Sequence, residues 1–113
     1  MITATFIFDK KQFDDDFHAL DQQIAEAARS TTGYLGEEAW ENTTTGRIST
    51  VYYWSSEEGL RELMNNPSHL IAKGRYKEWL SGYRVEISQV LRTYGDGLAP
   101  SPAEQAADNT KAV

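Results

Sequence analysis

Between Arg47 and Gly95 the apolar residues change their spacing twice, and few folds accommodate both changes in so short a span. Arg47 to Trp54 (RISTVYYW) alternates by two, as a strand does, with Ile48, Thr50, Tyr52 and Trp54 on one side and Ser49, Val51 and Tyr53 on the other. Leu60, Leu63 and Met64 then fall three and one apart, which suits one face of a helix. Asn66-Pro67 interrupts that helix and starts another, because Asn caps well and proline is accepted at the first helical position. After Ser81-Gly82 the period returns to two in Tyr83 to Thr93 (YRVEISQVLRT), with Val85, Ile87, Gln89 and Leu91 on one face and Arg84, Glu86, Ser88, Val90 and Arg92 on the other. Strand, helix pair, strand is half of a βαββαβ domain.

The N-terminal half supplies the rest. Thr3 to Phe8 (TATFIF) is β-branched and aromatic and reads as a first strand, with Asp9 placed to cap the next element. From Gln12 to Arg29 the apolar stripe Phe13, Phe17, Leu20, Ile24 and Ala27 or Ala28 predicts an amphipathic helix. Asp14, Asp15 and Asp16 suit its positive N-terminal end better than they suit a metal. His18 is expected on the flank of that stripe. Tyr34 to Asn42 and Arg47 to Trp54 flank TTTG as a hairpin, and Ser55 with Glu58 three residues on matches a capping box. The expected fold is α+β: a ferredoxin-like βαββαβ unit over residues 1–95, with 96–113 as a flexible tail containing one helical turn near Ala103 to Ala107. Both faces of the strand from Arg47 to Trp54 carry bulk. The chain's own helices cover one face, and a second copy of the chain, in a homodimer, is the economical cover for the other.

Composition narrows the functional classes. At 113 residues there is room for one core. Without cysteine there is no disulfide, thiolate metal site or cysteine nucleophile. A net charge of −6 and a pI near 4.8 argue against nucleic acid as partner. No apolar run is long enough to span a bilayer and no leader pattern opens the chain, so a cytoplasmic location is expected. No phosphate-binding glycine loop, HExxH or Gly-x-Ser-x-Gly occurs, and two histidines far apart in sequence argue against a histidine metal cage.

The best place for chemistry is the helix from Pro67 to Leu80. At about 100° per residue, His69, Ala72, Lys73, Tyr76, Trp79 and Leu80 share a face roughly 120° wide. A face made only to pack would favour aliphatic residues, whereas this one turns an imidazole, an ammonium, a phenol and an indole inward. With Trp54, Tyr52 or Tyr53, and Trp40, these groups are expected to wall an aromatic pocket. The same spacing also suits amphipathic core aromatics and a half-buried, fully bonded histidine. Arg75, Arg84 and Arg92 as anion contacts, and Glu37, Glu38, Glu41 and Glu86 as bases, are weaker candidates that fit surface pairing better.

At GYLGEEAW, VYYWSSEEGLRELMNNPSHLIAKGRYKEW and YRVEISQVLRTYG, within a match running from about Phe6 to Gly95, the sequence resembles the antibiotic biosynthesis monooxygenase family, in particular its haem-degrading monooxygenase-like branch. The resemblance implies a dimeric α/β barrel in which two four-stranded sheets pack face to face. It also implies oxygenase chemistry, since relatives include cofactor-free enzymes that turn polycyclic phenols into quinones, and haem-degrading enzymes. The haem-degrading set looks like an Asn on the first strand, a Trp on the helix after the third strand and a His ten residues on. Carried onto this chain, those positions hold no Asn between Ala4 and Phe6, Leu63 for Trp, and Lys73 for His, with His69 one turn away.

The function expected is therefore a homodimeric, monooxygenase-like enzyme acting on an aromatic or quinone-type molecule without a dedicated cofactor. His69 is the acid/base or hydrogen-bonding residue, and Trp54, Tyr52, Lys73, Tyr76 and Trp79 contact the substrate. The alternatives are a haem-binding or haem-degrading protein, with haem as ligand or substrate, and a dimer that binds a hydrophobic ligand or has a structural role without turnover.

Overall fold

The computed structural model describes residues 1–105. Four strands, β1 (Ile2–Lys10), β2 (Tyr34–Glu41), β3 (Ile48–Trp54) and β4 (Leu80–Gln89), form one antiparallel sheet in the order β2-β3-β1-β4. Helices α1 (Asp15–Arg29), α2 (Glu57–Met64) and α3 (Pro67–Arg75) pack on one face, and a single 3₁₀ turn, Tyr76–Glu78, joins α3 to β4. This is the ferredoxin-like arrangement expected from the two changes of period.

Strand register decides which side chains meet the helices. Rows such as Ala39–Thr50–Phe6–Val85 and Glu37–Tyr52–Ala4–Ile87 run across the helix face. Trp40–Ser49–Ile7–Arg84 and Glu38–Val51–Thr5–Glu86 run across the outer face. Two small cores result on the helix side. One gathers Ala4, Ala28, Trp54 and Leu63, and the other Phe8, Trp79 and Leu80.

Several element ends differ from the sequence reading. Asp9 lies within β1 and holds Arg47 through two hydrogen bonds of 2.9 and 3.1 Å, so α1 is capped by Asp14, whose carboxylate accepts from Phe17 N at 2.8 Å. Ser56, not Ser55, precedes α2 as its cap, and its side chain makes no capping bond. The helix expected through Leu80 ends at Arg75, and Leu80 opens β4, where the pairing with β1 shifts at Asp9/Lys10. Pro102 to Gln105 form a helical turn, with Pro102 and Ala103 buried. Pro102 sits on Gly36, a residue at φ +146° where a Cβ would come within 2.8 Å of the proline Cβ. The remainder of the expected tail, 106–113, lies outside the described residues.

Trp54 is fully buried, with its indole N–H donating to the Thr31 hydroxyl at 2.7 Å, and that hydroxyl donates to the Ala28 carbonyl at 2.6 Å. Helix α2 crosses it at Gly59, where a Cβ would collide with the indole and with the Thr32 carbonyl. Gly59→Ala therefore lowers the unfolding free energy by about 1–3 kcal/mol. Gly74→Ala, on the exposed side of α3 with nothing within 4 Å of the added Cβ, raises it by about 0.5–1 kcal/mol. Urea denaturation of the two variants checks the opposite signs.

Candidate functional site

Helix α3 begins at a well-formed cap. The Asn66 side-chain oxygen accepts from Ser68 N at 3.0 Å and His69 N at 3.3 Å, and Pro67 takes the first helical position, where its missing N–H costs nothing. The third residue of the helix is thus His69, with Lys73 one turn further on. Beneath them, between helices and sheet, lies a cavity of about 600 Å³. Its walls are mostly rings and aliphatic groups: Ala4, Phe6, Phe8, Tyr52 and Trp54 from the sheet, Phe13, Phe17, Leu20 and Ile24 from α1, and Leu60, Leu63 and Met64 from α2. His69, Ala72 and Lys73 come from α3, and Tyr76, Trp79, Leu80, Tyr83 and Val85 close the remaining side.

The six residues to which the sequence assigns catalysis or substrate contact, His69, Trp54, Tyr52, Lys73, Tyr76 and Trp79, all border this cavity. They do so in different ways. Trp54 and Trp79 are core residues, 0% and 2% exposed. The Trp79 N–H donates to Asp14 Oδ1 at 3.0 Å, and the Arg75 guanidinium lies 4.8 Å from its ring while pairing with Glu78 and Asp16. Both indoles thus present ring surface to the cavity with their polar atoms satisfied elsewhere. Tyr76 meets Tyr83 edge-on at 4.8 Å, and Phe17 meets Trp79 at 5.5 Å. A second, shallower hollow of about 540 Å³, beside Lys11, Lys77 and Ser81, lies beyond Tyr76 and is bordered by neither histidine.

His69 differs from the two tryptophans. It is half-buried, and its Nδ1 is shielded from solvent with no hydrogen-bond partner. Desolvation, aided by the Lys73 ammonium, holds its pKa below the ordinary 6.5, so the ring is neutral at pH 7. The Tyr52 phenol is shifted the other way, raised by burial and by the carboxylates of Glu37 and Asp21, and it remains a hydrogen-bond donor.

Other candidates are not brought to the cavity. Trp40 is 61% exposed on the outer face, and Tyr53 shares that face, because strand alternation sends both away from the helices. Arg84 pairs with Glu86 at 3.2 Å, Arg29 with Glu37 at 3.5 Å, and Arg75 with Glu78 at 2.7 Å. Two lining residues escape a reading of the sequence alone. His18 and Asp21 border the cavity from α1, because its mouth is wider than the apolar stripe they flank. Among the described residues no cluster of three or more His, Asp or Glu side chains is arranged to hold a metal. The residues present do not fit haem degradation: Leu63 is a buried core residue, Lys73 an exposed ammonium, and Ala4 has no side-chain amide.

No family model matches the sequence, and no curated protein matches it. Solved structures do match in three dimensions. Rv0793 from Mycobacterium tuberculosis is 17% identical with a TM-score of 0.65, over 83% of this chain and 98% of that one. SnoaB, described as a cofactor-independent oxygenase from Streptomyces nogalater, is 11% identical with a TM-score of 0.65, over 81% and 94%. A protein described as an antibiotic biosynthesis monooxygenase is 12% identical with a TM-score of 0.63, over 81% of this chain and all of that one. The chain therefore shares the ferredoxin-like fold of antibiotic biosynthesis monooxygenases; identities this low establish the fold alone.

The lowered His69 pKa has a measurable sign. The unfolded chain takes up a proton near pH 6.5 and the folded chain only at lower pH, so acidification through this range favours unfolding. His69→Gln removes that contribution. Between pH 7.5 and 5.5 its Tm falls less than that of the unsubstituted protein, as scanning calorimetry at each pH measures.

Proposed function

We infer that the protein is a small homodimeric, cytoplasmic oxygenase-like enzyme of the antibiotic biosynthesis monooxygenase family. It acts without a dedicated cofactor on an aromatic, quinone-type molecule held in the cavity. The observation that carries this reading is a ring-lined space of about 600 Å³ bordered by His69, an imidazole whose Nδ1 has no hydrogen-bond partner. Leaving a buried polar atom unbonded costs about 1–3 kcal/mol, and a ligand hydroxyl would remove that cost. The fold shared with SnoaB, a cofactor-independent oxygenase by its description, supports the same reading.

The chemistry fits the residues. A neutral imidazole accepts the proton of a phenol, and the nearby Lys73 ammonium stabilises the phenolate. The electron-rich phenolate then supplies all the electrons that O₂ requires. A phenol with a free para C–H takes one oxygen atom into a new quinone carbonyl and loses two hydrogens, and the second oxygen leaves as water (C₆H₆O + O₂ → C₆H₄O₂ + H₂O). Tyr52, Tyr76 and Trp79 hold the ring, and the burial of the site limits side reactions with water.

Oxygen consumption with a panel of naphthols and hydroxyanthracenes tests the reading. Turnover of at least one phenol is expected, and His69→Ala lowers kcat by about 10²–10⁴. No oxygen uptake by any phenol, combined with a Soret shift on haem titration, would replace the oxygenase reading with haem binding.

The homodimer rests on the outer sheet face. None of α1–α3 packs there; the turn from Pro102 to Gln105 covers the part near Gly36, Ile7 is already buried, and half-buried Val51 and exposed Trp40 remain to be covered. Sedimentation equilibrium should give twice the 12.7 kDa chain mass, and Val51→Glu should return the monomer.

A further inference from the structure

The shallower hollow of about 540 Å³ has an unusual lining for so acidic a chain. Two lysines, Lys11 and Lys77, and three hydroxyl side chains, Tyr76, Ser81 and Tyr83, border it, and no carboxylate does. The sequence as a whole carries 17 acidic side chains against 11 basic ones, so such a selection runs against the average. Among the described residues every arginine except Arg92 enters an ion pair, and no lysine does. The acids adjacent in sequence are already engaged: Asp9 by Arg47 at 2.9 Å, and Glu78 by Arg75 at 2.7 Å. Lys11 and Lys77 are thus left without a counter-charge.

The backbone beneath these groups is held in place. Lys11 N and Gln12 N both donate to the Trp79 carbonyl, at 2.8 and 3.2 Å, and Trp79 N donates to the Tyr76 carbonyl at 3.0 Å across the 3₁₀ turn that carries Lys77. Both lysines are therefore anchored through one buried residue. Where the pairing of β1 with β4 shifts, Asp9 opposes Gly82 and Lys10 opposes Leu80, which leaves Ser81 as the extra residue of a bulge. Bulges re-aim side chains and recur beside ligand sites. On the inner side, Tyr76 and Tyr83 meet edge-on at 4.8 Å and, with Leu80, border the ring-lined cavity as well. Neither His69 nor Lys73 borders the hollow.

All five polar side chains can donate, two are positive and none is negative. Their complement is a group that accepts at several oxygens and carries more than one negative charge. A carboxylate offers two oxygens and a single charge, whereas a phosphate monoester offers three oxygens and a charge of about −1.5 to −2 at pH 7. The volume exceeds what a bare ion needs and lies within the roughly 300–1,000 Å³ usual for small-ligand sites. We propose that this hollow is a phosphate-binding site, with Lys11 and Lys77 as charge partners and Ser81 and the two phenols as neutral donors. It takes the phosphate group of a small monoester or the free ion. The site is separate from the ring-lined cavity and does not depend on what that cavity holds.

Amide NMR shifts of the isotope-labelled full chain test this, at low ionic strength where surface charges are least screened. Inorganic phosphate and glycerol 3-phosphate should each give saturable shifts centred on Lys11, Lys77, Ser81 and Gly82. Lys11→Gln and Lys77→Gln should each weaken binding about tenfold, and Ser81→Ala about threefold. Lys10, whose ammonium lies over the Phe13 ring, borders neither hollow nor cavity. Lys10→Gln removes the same charge and should change the affinity by no more than about twofold. Circular dichroism confirms that the variants are folded. Tighter binding of glycerol 3-phosphate than of inorganic phosphate supports the site with an ester as its ligand, and the reverse order supports it with the free ion. Shifts that sodium chloride reproduces at equal ionic strength, acetate binding as tightly as phosphate, or an equal loss in Lys10→Gln and Lys11→Gln would each overturn the assignment.

Discussion

A buried indole is stable only if its N–H finds an acceptor, and in Trp54 that requirement ties three parts of the chain together. The ring ends β3, its N–H reaches Thr31 just beyond α1, and α2 crosses it at the one residue type that brings no Cβ. Glu62 adds a second tie, accepting from both the amide and the hydroxyl of Thr32 at 2.7 and 2.6 Å. With α2 fixed, the short Asn66-Pro67 corner leaves α3 little freedom, and the placement of His69 is set by it. The imidazole is thus positioned by packing two elements away, with its own side chain uncommitted.

That arrangement separates scaffold from chemistry. The polar tips of Trp54 and Trp79 are bonded to Thr31 and Asp14, outside the cavity, so the rings contribute surface without asking anything of a ligand. Polar residues that border the cavity are left with capacity to spare: His69 has an unbonded Nδ1, and Asp21 enters no ion pair among the described residues. A core optimised only for stability would have satisfied or replaced them.

Much of this is legible in the sequence, and the reasons are local. Periods of two and 3.6 identify strands and helices because side-chain direction is a backbone property, and Asn66-Pro67 marks a cap because its chemistry needs only neighbours in the chain. The face from His69 to Leu80 does reach the cavity although the helix stops at Arg75, since a 3₁₀ turn carries Tyr76 and Trp79 round to the same side. What the sequence hides depends on pairing across the sheet. The register opposes Trp40 to Ser49 on the outer face, and no periodicity within β2 alone discloses that. Asp9 has the look of a cap but answers to Arg47, 38 positions away. Asp21 and His18 sit on the shoulder of the α1 stripe, where only the width of the space beneath shows that they border it.

The seat of Pro102 on Gly36 also bears on how the molecule behaves when crowded. β2 is one margin of the sheet, and there the pairing shifts between Tyr34 and Gly36 and a proline rests against the irregularity, so a foreign strand finds a broken template. The opposite margin, β4, runs ten residues with Tyr83, Val85 and Ile87 each at least two-fifths exposed. The two margins are therefore unequally guarded, and unwanted strand-to-strand growth into fibrous or amorphous precipitate would begin along β4.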